Sequence, residues 1–176
     1  ITDFAPLIRL KKLKRLSLRS QKIKDNSHLA HLVNLTWLKL DNCQIKNTEI
    51  ISELTQLEYL HLGDNSIERI VNLENLKKLK SIIFRNNMIS DIANLSKCKN
   101  LKRLNISNNP IDDFSCIAKL LKLESLDIAE NNLYDLSFVE NLVLLRALDC
   151  KFNKINSLKP LSGLKNLEYL YIQSNL

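Results

Sequence analysis

The chain has 176 residues, with 26 Lys and Arg against 19 Asp and Glu, a formal net charge of +7, and 45% apolar residues. Two glycines and three prolines leave no composition for a linker, so residues 1–176 are expected to form a single cooperative array. No apolar run approaches the roughly 18 residues that suggest a membrane-spanning helix, and the four cysteines show no CxxC metal spacing.

Leucine stands at 13, 35, 57, 79, 101, 123, 145 and 167, every 22 residues without a miss. A unit of that size cannot bury its own apolar side and must stack on its neighbours. The chain opens in the back half of such a unit. Ile1, Phe4, Leu7 and Leu10 hold the places later taken by Ile23, Asn26, Leu29 and Leu32. From Leu13 onward, apolar residues follow at a fixed offset of three (Leu16, Leu38, Leu60, Ile82, Leu104, Leu126, Leu148, Leu170). Others stand two further on (Leu18, Leu40, Leu62, Phe84, Ile106, Ile128, Cys150, Ile172). This period-two alternation predicts one short strand per unit with one buried face. The ninth position reads Gln21, Cys43, Asn65, Asn87, Asn109, Asn131, Asn153 and Asn175, and the eleventh is Ile or Leu from Ile23 to Ile155. The back half of each unit carries apolar residues three apart, as in Ile67, Ile70, Leu73, Leu76 and Leu79, which suits a 3₁₀ or extended turn. Each asparagine is expected to satisfy turn backbone inside the stack. Gln21 and Cys43 break that ladder, and Asn26 and Thr48 break the convex apolar column, so the first units are expected to be less regular. The array begins and ends in mid-repeat, and the expectation is a piece of a longer protein lacking both caps.

The pattern LxxLxLxxNxI resembles the leucine-rich repeat family along the whole chain. The resemblance implies an α/β-class, right-handed leucine-rich repeat solenoid, with a curved parallel β-sheet on the concave face and a 3₁₀ or irregular convex side. Two branches of the family have units of this length. The phrases "ITDFAPLIRLKKL", "ISDIANLSKCKNL" and "INSLKPLSGLKNL" resemble bacterial internalin-type repeats, whose concave face grips another protein. The other branch is similar to intracellular regulators of a type-1 protein phosphatase. Unpaired cysteines lean towards a cytoplasmic setting and the internalin resemblance towards a secreted or cell-surface one.

If Leu16 and Leu18 point inward, three outward columns line the concave face. The first is Arg15, Trp37, Tyr59, Ser81, Arg103, Ser125, Ala147 and Tyr169. The second is Ser17, Lys39, His61, Ile83, Asn105, Asp127, Asp149 and Tyr171; the third is Arg19, Asp41, Gly63, Arg85, Ser107, Ala129, Lys151 and Gln173. The single Trp and three of the four Tyr fall in these columns, a concentration that suits an interface hot spot. Strand propensity alone also favours aromatics there. The expected partner-binding set is Trp37, Lys39, Tyr59, His61, Ile83 and Arg85 at the centre, with Arg15, Asp127, Asp149, Tyr169 and Tyr171 further along. Trp37 and Tyr59 are expected to bring their rings about one strand spacing apart, and His61 would make binding pH-sensitive.

The charge is banded. Residues 1–24 hold eight basic groups and one acidic, 41–75 two and seven, 77–103 eight and one, and 112–149 three and eight. Such bands suit an oppositely patterned protein partner better than nucleic acid, which favours one continuous basic stripe. Glu124, Asp127, Glu130 and Asp149 are expected to stay solvated on an open face, with unshifted pKa values. His28 and His31 could share one side of a turn, but no third metal ligand is evident. No phosphate loop, nucleophile elbow or metalloprotease motif occurs. The expectation is therefore a non-catalytic recognition module that takes no cofactor, metal or small-molecule substrate and has a protein partner on its concave face. The alternative is the regulatory or substrate-recruiting part of an enzyme such as a type-1 protein phosphatase.

Overall fold

Alternating leucines build the strands where the period places them. In the computed structural model, which describes residues 3–23, 26–71 and 73–176, eight strands form one sheet in chain order. They are β1 (Arg15–Arg19), β2 (Trp37–Asp41), β3 (Tyr59–His61), β4 (Ser81–Ile83), β5 (Arg103–Asn105), β6 (Ser125–Asp127), β7 (Ala147–Asp149) and β8 (Tyr169–Tyr171). All neighbours are parallel, and every pairing joins residues 22 apart, from Arg15 with Trp37 to Asp149 with Tyr171. Ile1 and Thr2 of the first convex phrase lie outside the described residues.

Six of the eight strands are only three residues long, and the chain turns sharply behind every one of the eight. The residue at that turn has positive φ in every unit: Ser20, Asn42, Asp64, Asn86, Asn108, Glu130, Phe152 and Ser174, between 51° and 58°. Asn, Asp and, less readily, Ser accept this left-handed conformation through local hydrogen bonding, whereas a bulky side chain is strained in it. Phe152 is the misfit, and its ring is 54% exposed, with little burial to offset the strain.

The asparagine ladder follows directly. Asn87 Nδ2 donates to the carbonyls of Leu62, Phe84 and Arg85 at 3.0, 2.9 and 3.1 Å, while its Oδ1 accepts the Ile67 N–H at 2.9 Å. Asn65, Asn109, Asn131, Asn153 and Asn175 make the same donation to the preceding unit and their own turn. Asn131 Oδ1 is the exception, the single buried side-chain polar atom among the described residues with no partner. Where Cys43 replaces asparagine, its thiol turns to the Leu18 and Asp41 carbonyls instead.

On the convex side, seven 3₁₀ turns are present among the described residues: Ala5–Arg9, Ser27–His31, Glu49–Ile51, Ala93–Lys97, Ser115–Lys119, Ser137–Val139 and Lys159–Leu161. A side chain two residues before the turn's first residue accepts its N–H in six of them: Asp3, Asn47, Asp91, Asp113, Asp135 and Ser157. In the third unit Arg69 forms parallel bridges to Asn47 and Asp91. Thr48, a departure from the apolar column, is fully buried. Its hydroxyl donates to the Val71 carbonyl at 2.7 Å and accepts the Val71 N–H at 2.8 Å. Between sheet and turns runs one continuous core of the repeat leucines and isoleucines, with Phe84 fully enclosed and Phe114 stacked on Phe138 at 5.4 Å. All four cysteines are free and buried in it. Burial pushes the thiols up, to about 11 for Cys98 and Cys116 and about 12 for Cys150, which leaves them protonated and unreactive at neutral pH.

Three stability changes follow, each readable in a urea midpoint. Leu104→Ala empties a fully buried site and is expected to cost about 2–5 kcal/mol; an unmoved midpoint would contradict the register. Asn87→Ala strands several backbone groups and should cost more than about 2 kcal/mol. Phe152→Asn relieves the turn and should stabilise by about 1 kcal/mol, and a loss of stability instead would show that the ring packs better than its exposure indicates.

Candidate concave interface

Strand pairing places the first two predicted columns in register across all eight strands, with their side chains on the face opposite the core leucines. The third column differs. From β3 onward its residues lie beyond the strand ends, because the asparagine turn has begun, and Asp41, Gly63 and Ala129 are buried.

Trp37 is half-buried between two units. The Arg15 guanidinium lies 4.9 Å from its ring centre on one side, and on the other the His61 imidazole meets it edge-on at 5.9 Å and 63°. The ring that packs on Trp37 is therefore His61 from the second column, not the Tyr59 ring expected from the shared offset. A diagonal neighbour on the next strand lies within reach of an aromatic side chain. Tyr59 stays 40% exposed beside it. The His61 Nε2 is 3.5 Å from the Ser81 hydroxyl oxygen. Burial first, then the Lys39 and Arg103 charges, lower the His61 pKa against the opposing pull of Asp41, so the ring is neutral at pH 7. Lys39 is itself tied to Asp41 at 3.0 Å. Ile83 is half-buried on the adjacent strand.

Arg85 is drawn away from this group to the rim. Its guanidinium holds Asp64 at 2.8 Å, and its aliphatic stem crosses Gly63 so closely that a Cβ there would stand 3.2 Å from Arg85 Cγ. A side chain at 63 would require the arginine stem to shift by a few tenths of an ångström. The structure thus gathers Trp37, His61, Tyr59, Ile83 and Lys39, with Arg15 stacked at one end and Arg85 at the margin.

The acidic residues are not a uniform solvated patch. Asp127 is half-buried and accepts from Asn105 Nδ2 at 2.6 Å and the Ala129 N–H at 3.2 Å. Burial raises its pKa, the Asp149 carboxylate in the same column adds to the rise, and the Ala129 N–H opposes it. The expectation of an unshifted carboxylate fails here because stacked strands remove water even from an open face. Asp149 pairs with Lys151 at 3.0 Å, and that ammonium lies 5.5 Å from the Tyr171 ring centre. Glu124 is held by Lys102 at 2.7 Å, and this bond lowers its pKa. Tyr169 and Tyr171 are 56% and 43% exposed. Among the described residues no group of three His, Cys, Asp or Glu side chains could hold a metal ion, and no helix is long and apolar enough to cross a membrane.

Two surface residues were not singled out by sequence reasoning. Phe152 projects from the turn beside Lys151; its signal was a large aromatic in a column otherwise of Asn, Asp, Ser and Glu. Arg103 stood in the first column, but its sequence does not reveal which cations lack a carboxylate.

Known proteins bear on this geometry. The family model "Leucine Rich repeats (2 copies)" matches residues 55–97, 77–119 and 99–141. No curated protein matches the sequence. Among solved structures, an internalin C2 of Listeria monocytogenes aligns at 28% identity over 98% of this chain and 76% of its own, with a TM-score of 0.90. An internalin (inlF) of the same species aligns at 27% identity over 99% of this chain, TM-score 0.82, and a leucine-rich repeat protein of Leptospira interrogans at 26% over 96%, TM-score 0.89. This chain spans 59% of that inlF structure and 45% of the Leptospira one. The internalin-type phrases on the convex side, the amide ladder behind the sheet and these likenesses agree: residues 55–141 match the leucine-rich repeat family, and the same repeat and fold run through the rest of the described chain.

Proposed function

We propose that this array is a non-catalytic recognition module whose concave face grips a protein partner, as an internalin-like adhesin or effector would. Leucine-rich repeat arrays are protein–protein interaction modules, which sets the class of function; the face and its residues are our reading. The observation that carries it is the aromatic pair on adjacent strands: Trp37 packed between Arg15 and His61, with Tyr59 left open next to it. A pre-packed Trp loses little side-chain entropy on binding, and an exposed Tyr contributes apolar area and a hydroxyl. Ile83 and Lys39 extend this centre, and Arg85 forms its rim.

The second half of the face supplies a different surface. Asp127 and Asp149 present carboxylates, while Tyr169 and Tyr171 expose rings near the last strand. A partner spanning the sheet would meet an aromatic and cationic half followed by an acidic and aromatic one, which fixes its orientation. The four buried, protonated thiols favour a second reading, a regulatory or substrate-recruiting subunit working in a reducing compartment.

Trp37→Ala combined with Tyr59→Ala should weaken partner affinity by more than about 2 kcal/mol, measured by calorimetry on the captured partner. The urea midpoint should move little, since both side chains lie outside the core. Equal affinity in the two proteins would remove the aromatic pair from the interface.

A further inference from the structure

The middle of the first concave column alternates large and small residues. Tyr59, Ser81, Arg103 and Ser125 stand in register on β3, β4, β5 and β6. Ser81 is buried between its larger neighbours, and the step leaves a depression of about 290 Å³ walled by Tyr59, His61, Arg103, Ser125 and the Lys102-paired Glu124. The cations at its margin are already committed: Lys80 holds Glu58 and Lys102 holds Glu124, both at 2.7 Å. Arg103 is exposed, and among the described residues its guanidinium has no carboxylate or other hydrogen-bond partner.

Such a lining is rich in donors. The guanidinium offers a planar fork matched to a carboxylate, and three hydroxyls can add further hydrogen bonds. The occupant's charge follows from the balance of the rim. One free guanidinium neutralises one carboxylate, whereas a phosphate dianion would meet no second free cation and would face Glu58 and Glu124. His61 adds a responsive element. The groups around it are the Trp37 ring, Lys39 and Asp41 on β2, Tyr59 on its own strand, Ser81 on β4 and Arg103 on β5. An arriving anion would offset the Lys39 and Arg103 charges, which add to burial in lowering the imidazole's pKa.

We propose that this depression receives an Asp or Glu side chain of the protein partner, with Arg103 as its counter-ion. The proposal rests on the concave-face reading and assigns to that face the chemistry of one anchor.

The test is a ¹⁵N-resolved titration of the full chain with acetylated, amidated tetraglutamate, with tetraglutamine and inorganic phosphate as comparisons. Saturable shifts are expected at the amides of Ser81, Arg103 and Ser125 and at the Arg103 Nε–H, with a rise in the His61 pKa at saturation. Arg103→Gln should lower the affinity at least about fivefold, and Arg103→Lys should restore part of it. Three results would overturn the assignment: no shift, shifts spread over the lysine-rich surfaces and indifferent to Arg103→Gln, or phosphate binding more tightly at the same residues. Partner capture separates the two readings. Unchanged affinity of the Trp37→Ala/Tyr59→Ala protein rejects the aromatic centre whatever the peptide does. Loss there with full affinity in Arg103→Gln rejects the carboxylate anchor alone.

Discussion

One amide side chain per unit ties the backbone of two units together. In Asn87 a single NH₂ group answers three carbonyls from two turns, and its oxygen answers an N–H behind it. Most of these groups are buried, so without the amide each buried one would carry a desolvation cost of about 1–3 kcal/mol. The turn can therefore stay three or four residues long and bend the chain sharply out of each strand. That sharp exit makes the left-handed residue at positions such as Asn86 and Asn108 obligatory. Strands β3 to β8 are three residues long, so the concave floor there is two columns wide and its rim is turn.

This narrow floor governs what the face can offer. Side chains in adjacent units are separated by one strand spacing, so like charges in a column would repel and large rings would crowd. The chain avoids both locally. Lys39, Arg85 and Lys151 each take a carboxylate from their own or the preceding unit, and the margin repeats the device in Lys80 with Glu58, Lys102 with Glu124 and Arg146 with Glu168. Several of the charges in these bands are thus neutralised locally on the concave side, and the groups that remain unpaired set what the face presents. Rings behave similarly. Trp37 finds a cation on one flank and an imidazole on the other, while Tyr59, Tyr169 and Tyr171 remain available.

Most of the fold was legible because its rule is a period. Identical spacing at Leu38, Leu60 and Ile82 sets register without knowledge of any contact, and the ninth-position asparagines mark where backbone must be satisfied. The departures were legible only as departures. That Thr48 would seal the core by exchanging two hydrogen bonds with Val71, or that the Cys43 thiol would reach back to the Leu18 carbonyl, depends on local distances that no spacing encodes. The candidate site divides the same way. Its columns follow from alternation, but Trp37 packs on His61 rather than Tyr59 because side-chain direction, not offset, chooses among neighbours 5 to 8 Å away.

The sequence by itself determined the repeat, the parallel sheet, the buried column and the set of residues that face outward, since all of these are consequences of a fixed 22-residue spacing and a two-residue alternation. Only the tertiary structure decided which outward groups are spent on one another. Arg85 lies over Gly63 to reach Asp64, Asp127 loses water between Asn105 and Asp149, and among the described residues Arg103 is left without a carboxylate. The reason is physical: spacing states which residues are neighbours, whereas pairing and desolvation depend on where side-chain atoms come to rest within a few ångströms.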